Sequence, residues 1–145
     1  MAPSVSTAFV AGAGGAIGRV LCRLLVADGW RVVGTTRKAG RAEDLRIIGV
    51  EPVIVDVFDR EALIRAVVDA TPSVVVHQLT DLPRAYTREG IEATKHANAR
   101  VREVGTANLI EAAGQSTATR IVAQSLGFMY ASGPRPHREL SLIHI

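Results

Sequence analysis

The sequence predicts a doubly wound α/β fold, in which a parallel sheet of about five strands is covered by helices on both faces. Short apolar segments rich in β-branched residues alternate five times with segments of helical period, which is typical of a parallel sheet. Right-handed crossovers between successive strands then place helices on both faces. The 145 residues are a one-domain length, and 48% hydrophobic residues provide enough material for a core.

The individual elements have recognisable start and stop signals. The first strand, Thr7–Ala11, ends in glycines, and the helix Ala16–Asp28 has an apolar stripe and is closed by Gly29. Asp59 is expected to cap the third helix, and Pro72 is expected to stop it. The remaining elements are predicted to be strands Arg31–Thr36, Pro52–Val57, Ser73–His77 and Arg120–Ser125, helices Arg41–Ile48, Arg60–Ala70 and Ile91–Ala113, and the loop Gln78–Gly90.

The glycine-rich segment between the first strand and the first helix has a phosphate-binding spacing. Gly12, Gly15 and Gly18 form the pattern G-x-x-G-x-x-G, because Ile17 stands where the stricter G-x-G-x-x-G pattern has its third glycine. Glycine permits a tight turn and a close approach of the backbone to a diphosphate. The opening N–H groups of the helix, at Ala16, Ile17 and Gly18, supply donors and partial positive charge. The segment therefore predicts a dinucleotide site, with a plain turn as the alternative.

This loop and the motifs after it resemble the short-chain dehydrogenase/reductase superfamily in its extended branch, the NAD-dependent epimerase/dehydratase family. The resemblance runs from about Thr7 to Pro136. It implies a Rossmann-type domain that binds NAD or NADP. It also implies an oxidoreductase that acts on the hydroxyl or carbonyl group of a small molecule, of which a nucleotide-sugar is one example. The alternative function is a non-catalytic NADP-binding sensor or regulator built on the same domain.

The end of the second strand bears on the choice between NAD and NADP. NAD-preferring relatives place an acidic residue there, whereas this chain has Thr36 followed by Arg37. A guanidinium holds a 2′-phosphate through two hydrogen bonds, and Lys38 and Arg41 are candidates to assist. NADP is therefore the expected cofactor and NAD the other option, while the alternative for Arg37 is a solvated surface side chain.

Further cofactor and site residues follow from the resemblance. It implies that Asp56 hydrogen bonds the adenine amino group and that Val57 lines the adenine pocket. His77 ends the fourth strand beside the middle of the cofactor, and a structural role is favoured over that of a catalytic base because no nucleophile or metal ligand pairs with it in sequence. In the long helix Asn98 is expected to replace the active-site asparagine, since Arg102 stands where many relatives have that residue.

The catalytic residues of the family are only partly present. Ser125 matches the serine that positions the substrate after the fifth strand. The family pattern then continues with Tyr-x-x-x-Lys, in which the lysine lowers the pKa of a general acid/base tyrosine. Four residues after Tyr86 is Gly90, and four after Tyr130 is Pro134. This chain alone is therefore not expected to turn over substrate by the family mechanism.

Charge, cysteine content and hydropathy exclude several other classes of protein. The net charge is +3, but the 15 arginines and 2 lysines are scattered, so nucleic-acid binding is not expected. The single cysteine, Cys22, excludes a disulfide framework and a cysteine-based zinc site, and no metal site is predicted. No apolar run approaches the roughly 20 residues of a membrane span, and no secretory signal begins the chain, so we expect a soluble cytoplasmic protein with no membrane partner.

The C-terminal segment breaks the alternation of strands and helices. Gly127–Ile145 has neither helical nor strand period, and Leu140–Ile145 is the peptide encoded by a transposon end used in sequencing libraries. We therefore expect residues 1–139 to be an incomplete NAD(P)-binding domain and residues 140–145 to be non-native, with a natural short terminus as the alternative. Substrate binding and a homodimer would then belong to a longer protein, and an uncovered apolar edge and face would favour aggregation of this chain.

Overall fold

Five parallel strands form the sheet of this computed structural model, which describes residues 5–83 and 85–125. The strands are β1 (Thr7–Ala11), β2 (Arg31–Thr36), β3 (Glu51–Ile54), β4 (Val74–His77) and β5 (Arg120–Ala123). They lie in the order β3-β2-β1-β4-β5. The direction of winding reverses between β1 and β4, and ligands of such sheets bind in the crevice at the carboxyl ends of the strands at this point. The predicted fold class is confirmed.

Helices connect the strands along the chain. They are α1 (Ala16–Ala27), α2 (Ala42–Ile47), α3 (Arg60–Ala70), α4 (Arg88–Arg100) and α5 (Thr106–Gly114). A 3-10 turn (Ala39–Arg41) precedes α2, and a π-helical turn (Val101–Gly105) joins α4 to α5. No helix within residues 5–83 and 85–125 has the length and apolar character needed to cross a membrane.

Two buried cores lie on opposite faces of the sheet. Successive side chains of a strand point to opposite faces, and β1 therefore contributes to both cores. Phe9 packs in one core with Leu109 of α5, and Val10 packs in the other with Cys22 of α1 and Leu45 of α2. Burial on both faces explains why the strands are nearly continuous runs of apolar residues.

Helix caps account for the observed starts of α3 and α4. Asp59 caps α3 as predicted, because its Oδ1 accepts the N–H of Ala62 at 3.1 Å. The predicted start of the long helix at Ile91 was wrong, and α4 begins earlier. Thr87 caps it there, since its Oγ1 accepts the N–H of Gly90 at 3.1 Å.

Strand β3 ends at Ile54, so the predicted strand that continued to Val57 was wrong. A turn begins at Asp56, whose Oδ1 accepts the N–H of Phe58 at 3.0 Å. The N–H of Asp59 donates to the carbonyl oxygen of Asp56 at 3.0 Å and closes the turn. An aspartate that bonds the backbone two residues ahead favours a turn over a continued strand. The carboxylate of Asp56 is consequently exposed just beyond the sheet.

The long predicted helix contains a π-helical turn that its sequence did not indicate. The turn ends at Gly105, where a Cβ atom would lie 3.2 Å from Cγ1 of Val57. Three residues later Asn108 donates its side-chain N–H to the carbonyl oxygen of Val57 at 2.9 Å. Glycine therefore permits the helix to approach the segment after β3 closely. Such turns occur often at functional sites.

Part of the apolar surface is uncovered in the described structure. Ile17, Val20 and Leu24 follow one another along the outside of α1 and are 55%, 57% and 64% exposed. On the edge strand β5, Ile121 and Val122 are also exposed. Exposure of β5 agrees with an uncovered sheet edge, while its covering by further strands and helices and the tendency to aggregate remain predictions.

The thiol of Cys22 is expected to resist alkylation until the chain unfolds. Cys22 is fully buried on the inner side of α1, and burial raises the pKa of its thiol to about 11. Because the thiolate is the reactive form, iodoacetamide at pH 8 should leave the native chain unmodified and label it in urea, as measured by mass spectrometry. An Ala107→Cys variant, exposed on α5, should label in both conditions. Fast labelling of native Cys22 would contradict the structure.

Candidate dinucleotide site

The glycine loop makes a tight turn between β1 and α1. The N–H of Gly15 donates to the carbonyl oxygen of Gly12 at 3.0 Å, and the N–H of Gly12 donates to Oγ1 of Thr35 at 3.2 Å. Gly12 has a φ of +90°, and a Cβ there would lie 2.8 Å from the carbonyl carbon and oxygen of Gln78. A Cβ on Gly18 would overlap the carbonyl oxygen of Gly12. These close contacts with backbone atoms therefore require glycine at Gly12 and Gly18, two of the three predicted positions.

The start of α1 is suited to an anion. Gly15 occupies the N-cap position without a side chain, and the first turn contains no acidic residue. The opening N–H groups of a helix have no acceptor within the helix, and the helix dipole adds partial positive charge there. Ala16 and Ile17, which begin the helix, are exposed. This end of the helix fits a diphosphate.

A cleft of about 180 Å³ lies beside the glycine loop and the ends of β2 and β4. It brings together four of the predicted cofactor residues: Gly12, Gly15, Thr36 and Arg37. Arg41, which was predicted to assist Arg37 in binding a 2′-phosphate, also lines the cleft. Gly14 belongs to the predicted phosphate loop, and Gln78, Leu79 and Thr80 belong to the segment after β4 that the family resemblance places beside the middle of the cofactor. Sequence reasoning missed the two remaining lining residues, Thr35 and Val55.

A second cavity, of about 240 Å³, adjoins the first at the start of α1. Gly15, Gln78 and Thr80 line both cavities, so the two spaces share a wall. In the part of the chain that the structure describes, no charged side chain lines the second cavity. Together the two cavities form one groove, with arginines in one half and no charge from the described residues in the other. Such a groove fits a ligand that is charged at one end and uncharged at the other. The other lining residues of the second cavity are Ala16, Ile17, Gly18, Leu82, Tyr86 and Gln124.

Two arginines supply positive charge to the first cleft. Arg37 and Arg41 are exposed, and neither forms a salt bridge within residues 5–83 and 85–125. Arg41 also lines a small neighbouring cavity together with Gly14, Arg19 and Asp44. Guanidinium groups without a carboxylate partner are suited to bidentate contacts with a phosphate.

His77 is held by protein groups on both ring nitrogens. Nδ1 accepts the N–H of Leu79 at 3.2 Å, so the ring proton is on Nε2, which lies 2.9 Å from Oγ1 of Thr106. Burial and, second, the positive charge of Arg102 lower the pKa of His77, and the imidazole is therefore neutral at neutral pH. These contacts support a structural role for His77, and its contact with a cofactor remains a prediction.

Four other predicted residues do not line the two cavities. Asp56 is exposed in the turn after β3, and Val57 is buried beneath the π-helical turn. The Oδ1 of Asn98 accepts the N–H of Asp81 at 3.1 Å and so holds the loop that follows β4. Ser125 is exposed beyond the end of β5, which is shorter than predicted. The cofactor and catalytic roles of these residues remain predictions.

The residues present fit a dinucleotide in three respects. The glycines leave the backbone of the loop open to close approach, and Arg37 and Arg41 supply cations. In addition, Oε1 of Gln78 is a buried acceptor without a hydrogen-bond partner in the described structure. Since Gln78 lines both cavities, a ligand donor is able to satisfy it.

Comparison with known proteins identifies the family. The model of the NAD-dependent epimerase/dehydratase family matches residues 8–143. The chain belongs to this family. The predicted resemblance is thus confirmed, and the epimerase/dehydratase assignment gives the groove its ligand class, a nicotinamide dinucleotide. The described residues form a Rossmann-type fold of the kind that binds a nicotinamide dinucleotide.

Individual relatives in the family include reductases and epimerases. The chain is 45% identical over 126 residues to a 3-diazoavenalumate denitrifying reductase from a Streptomyces species, with 86% of this chain and 40% of the relative covered. It is 41% identical over 66 residues to a 2-alkyl-3-oxoalkanoate reductase from Shewanella oneidensis, with 46% and 16% covered. A UDP-glucose 4-epimerase structure from Thermus thermophilus in complex with NAD has a TM-score of 0.77 at 26% identity, with 95% and 44% covered. The chain therefore spans less than half of each of these proteins.

Proposed function

We propose that this chain is the cofactor-binding part of an NADP-preferring reductase. The observation that carries the proposal is Arg37, which lines the cleft immediately after β2 and has no salt bridge among the described residues. The preceding position, where an acidic residue binds the ribose hydroxyls of NAD, is the neutral Thr36. Arg41 lines the same cleft. Two cations and no carboxylate at this place favour a 2′-phosphate over a free ribose hydroxyl.

We assign each part of the cofactor to a part of the groove. The backbone at Gly12, Gly15 and Gly18 and the start of α1 would hold the diphosphate. Asp56 would reach the adenine from the turn after β3, and the uncharged second cavity would receive the nicotinamide half. When bound, the nicotinamide supplies the hydride that reduces a substrate.

The relatives' names favour reduction of a small acid over chemistry on a nucleotide-sugar. Both curated relatives are named as reductases, one as a 3-diazoavenalumate denitrifying reductase and the other as a 2-alkyl-3-oxoalkanoate reductase. Ser125 is the proposed substrate-positioning residue. We place the protein in the cytoplasm, without a nucleic-acid partner, and assign a homodimer to the longer protein.

A second candidate function is a non-catalytic sensor of NADP. Neither Tyr86 nor Tyr130 has a lysine four residues later, so the two candidates differ in what they predict for the rest of a longer chain. The sensor predicts that a longer native chain would also lack this pair. Sequencing of the genomic locus tests this directly, because a downstream Tyr-x-x-x-Lys would favour the reductase.

Replacement of Arg37 by alanine is expected to weaken NADP binding selectively. Loss of a charge-assisted bidentate contact should raise the Kd for NADP roughly 10- to 100-fold, with little change for NAD. Isothermal titration of the 145-residue chain with each dinucleotide measures both constants. The control is Arg23→Ala, which removes an exposed arginine of α1 that does not line the groove. Equal affinity of the unaltered chain for NADP and NAD, or no effect of Arg37→Ala, would remove the case for NADP.

A further inference from the structure

Arg102 lies on the helix face that contacts the end of β4. Four residues before it, Oδ1 of Asn98 accepts the N–H of Asp81 at 3.1 Å. Four residues after it, Oγ1 of Thr106 lies 2.9 Å from Nε2 of His77. Arg102 lies in the π-helical turn between these two residues, so it is flanked by two contacts with β4 and the loop that follows it.

Arg102 is partly buried and has no salt-bridge partner within the described residues. Its Nε is buried and has no hydrogen-bond partner in the described structure. Its charge acts on the neighbouring His77 and helps to lower the pKa of that imidazole. Burial of a cation without a partner costs free energy, and an anionic ligand would offset this cost.

The position of Arg102 relates it to the cofactor groove. His77, its neighbour, is followed in the chain by Gln78, which lines both cavities of the groove. Thr106 holds the helix against His77, and Arg102, one turn earlier, acts on the same imidazole through its charge. An anion bound to Arg102 would therefore lie near the end of β4, from which Gln78 lines both cavities.

We propose that Arg102 binds the carboxylate of an acidic carbonyl substrate. A guanidinium matches a carboxylate through two parallel hydrogen bonds. Neutral carbonyl compounds of the same shape would leave Arg102 unpaired and should bind more weakly. This inference rests on the proposed function, because it defines the substrate that the bound nicotinamide would reduce. It makes Arg102 a specificity residue.

The test is binding of acetoacetate, a small 3-oxo acid, to the 145-residue chain saturated with NADP. Imidazole signals of His77 in NMR spectra report on the neighbouring charge. Acetoacetate should shift these signals and raise the pKa of His77, because it neutralises Arg102. The neutral analogue acetoacetamide should do neither. Arg102→Gln should weaken acetoacetate binding at least tenfold, and Arg102→Lys should restore part of it.

The matched control is Arg100→Gln on the same helix. The guanidinium carbon of Arg100 lies 3.9 Å from the ring centre of Phe58, so this arginine already has a partner. Arg100→Gln should bind acetoacetate as the unaltered chain does. Equal weakening in the Arg100 and Arg102 variants, equal binding of acetoacetamide, or no binding of acetoacetate would each overturn the proposal. Failure of the unaltered chain to bind NADP would contradict the proposed function instead.

An Arg102→Met variant separates ligand binding from a structural role. Removal of a buried cation without a partner is neutral or stabilising when the new side chain packs well. The melting temperature of Arg102→Met should therefore equal or exceed that of the unaltered chain, while acetoacetate binding is lost. A melting temperature several degrees lower would assign Arg102 to the fold and overturn the proposal.

Discussion

Replacing Gly18 by alanine is expected to destabilise the chain and to abolish tight dinucleotide binding. The added Cβ would overlap the carbonyl oxygen of Gly12 and lie 3.0 Å from Cα of Ala13. Both are backbone atoms that cannot rotate away, so the loop or the start of α1 must move. We expect a loss of about 3 kcal/mol in the free energy of unfolding and a roughly 100-fold rise in the Kd for NADP. Urea unfolding and isothermal titration measure the two effects.

Two other glycines provide matched controls for Gly18. A Cβ on Gly14, in the same loop, meets nothing within 4 Å, so Gly14→Ala should leave the free energy of unfolding unchanged. Because Gly14 lines the cleft, its variant should weaken NADP binding if the diphosphate approaches the backbone closely. Gly114→Ala, at the end of α5 and equally unhindered, should affect neither measurement. A Gly18→Ala chain with unaltered stability would contradict the loop geometry.

Replacing Thr36 by aspartate is expected to reverse the cofactor preference. Thr36 ends β2 and is 8% exposed, and its Oγ1 accepts the N–H of Lys38 at 3.2 Å. A carboxylate can accept the same hydrogen bond, but the one that the Thr36 hydroxyl donates to the carbonyl oxygen of Lys38 at 3.3 Å would be lost, so the turn should keep one of these two hydrogen bonds. The new charge would repel a 2′-phosphate and compete for Arg37, but it would accept hydrogen bonds from the ribose hydroxyls of NAD. The ratio of the Kd values for NADP and NAD should therefore change by roughly 100-fold or more.

Thr36→Ser is the uncharged control for this reversal. Serine keeps the hydroxyl that bonds Lys38 and adds no charge, so both dissociation constants should stay near those of the unaltered chain. Titrations at two salt concentrations add a second check, because repulsion between exposed charges weakens as ionic strength rises. An aspartate variant that keeps its preference for NADP would show that the 2′-phosphate is bound elsewhere.

Local signals in the sequence were sufficient to predict most of the fold. Asp59 and Gly29 mark a helix start and a helix end through interactions within a few residues, and the structure confirms both. The end of β3 was not predictable in the same way. Val55 and Val57 are apolar and suit a strand, but the side chain of Asp56 bonds the backbone ahead and turns the chain.

The orientation of α1 shows where the sequence was insufficient. Its apolar residues have helical spacing, and the helix is present, but Val20 and Leu24 are exposed while Gly18 and Cys22 are buried. Periodicity identifies a helix without choosing among several apolar faces, because that choice depends on which neighbour packs against it.

The site was predictable where one short segment builds it. The spacing of Gly12, Gly15 and Gly18 was sufficient for the loop. Thr35 was missed because its place in the groove arises only when the end of β2 lies beside β1, where its Oγ1 accepts the N–H of Gly12. Such contacts join residues far apart in the chain, and no local pattern marks them.

The central place of β1 has a consequence for how the chain folds. Its contact with β2 closes a short loop, since Gly12 and Thr35 are 23 residues apart, whereas the bond from Ser73 Oγ to the carbonyl oxygen of Thr7 spans 66 residues. Longer loops cost more entropy and close more slowly, so pairing of β1 with β2 should precede the docking of β4. The first cleft is complete only after β4 has docked, because Gln78, Leu79 and Thr80 line it, so a dinucleotide would bind only chains in which this step has taken place. By mass action, a higher concentration of the dinucleotide would then raise the folded fraction of the chain.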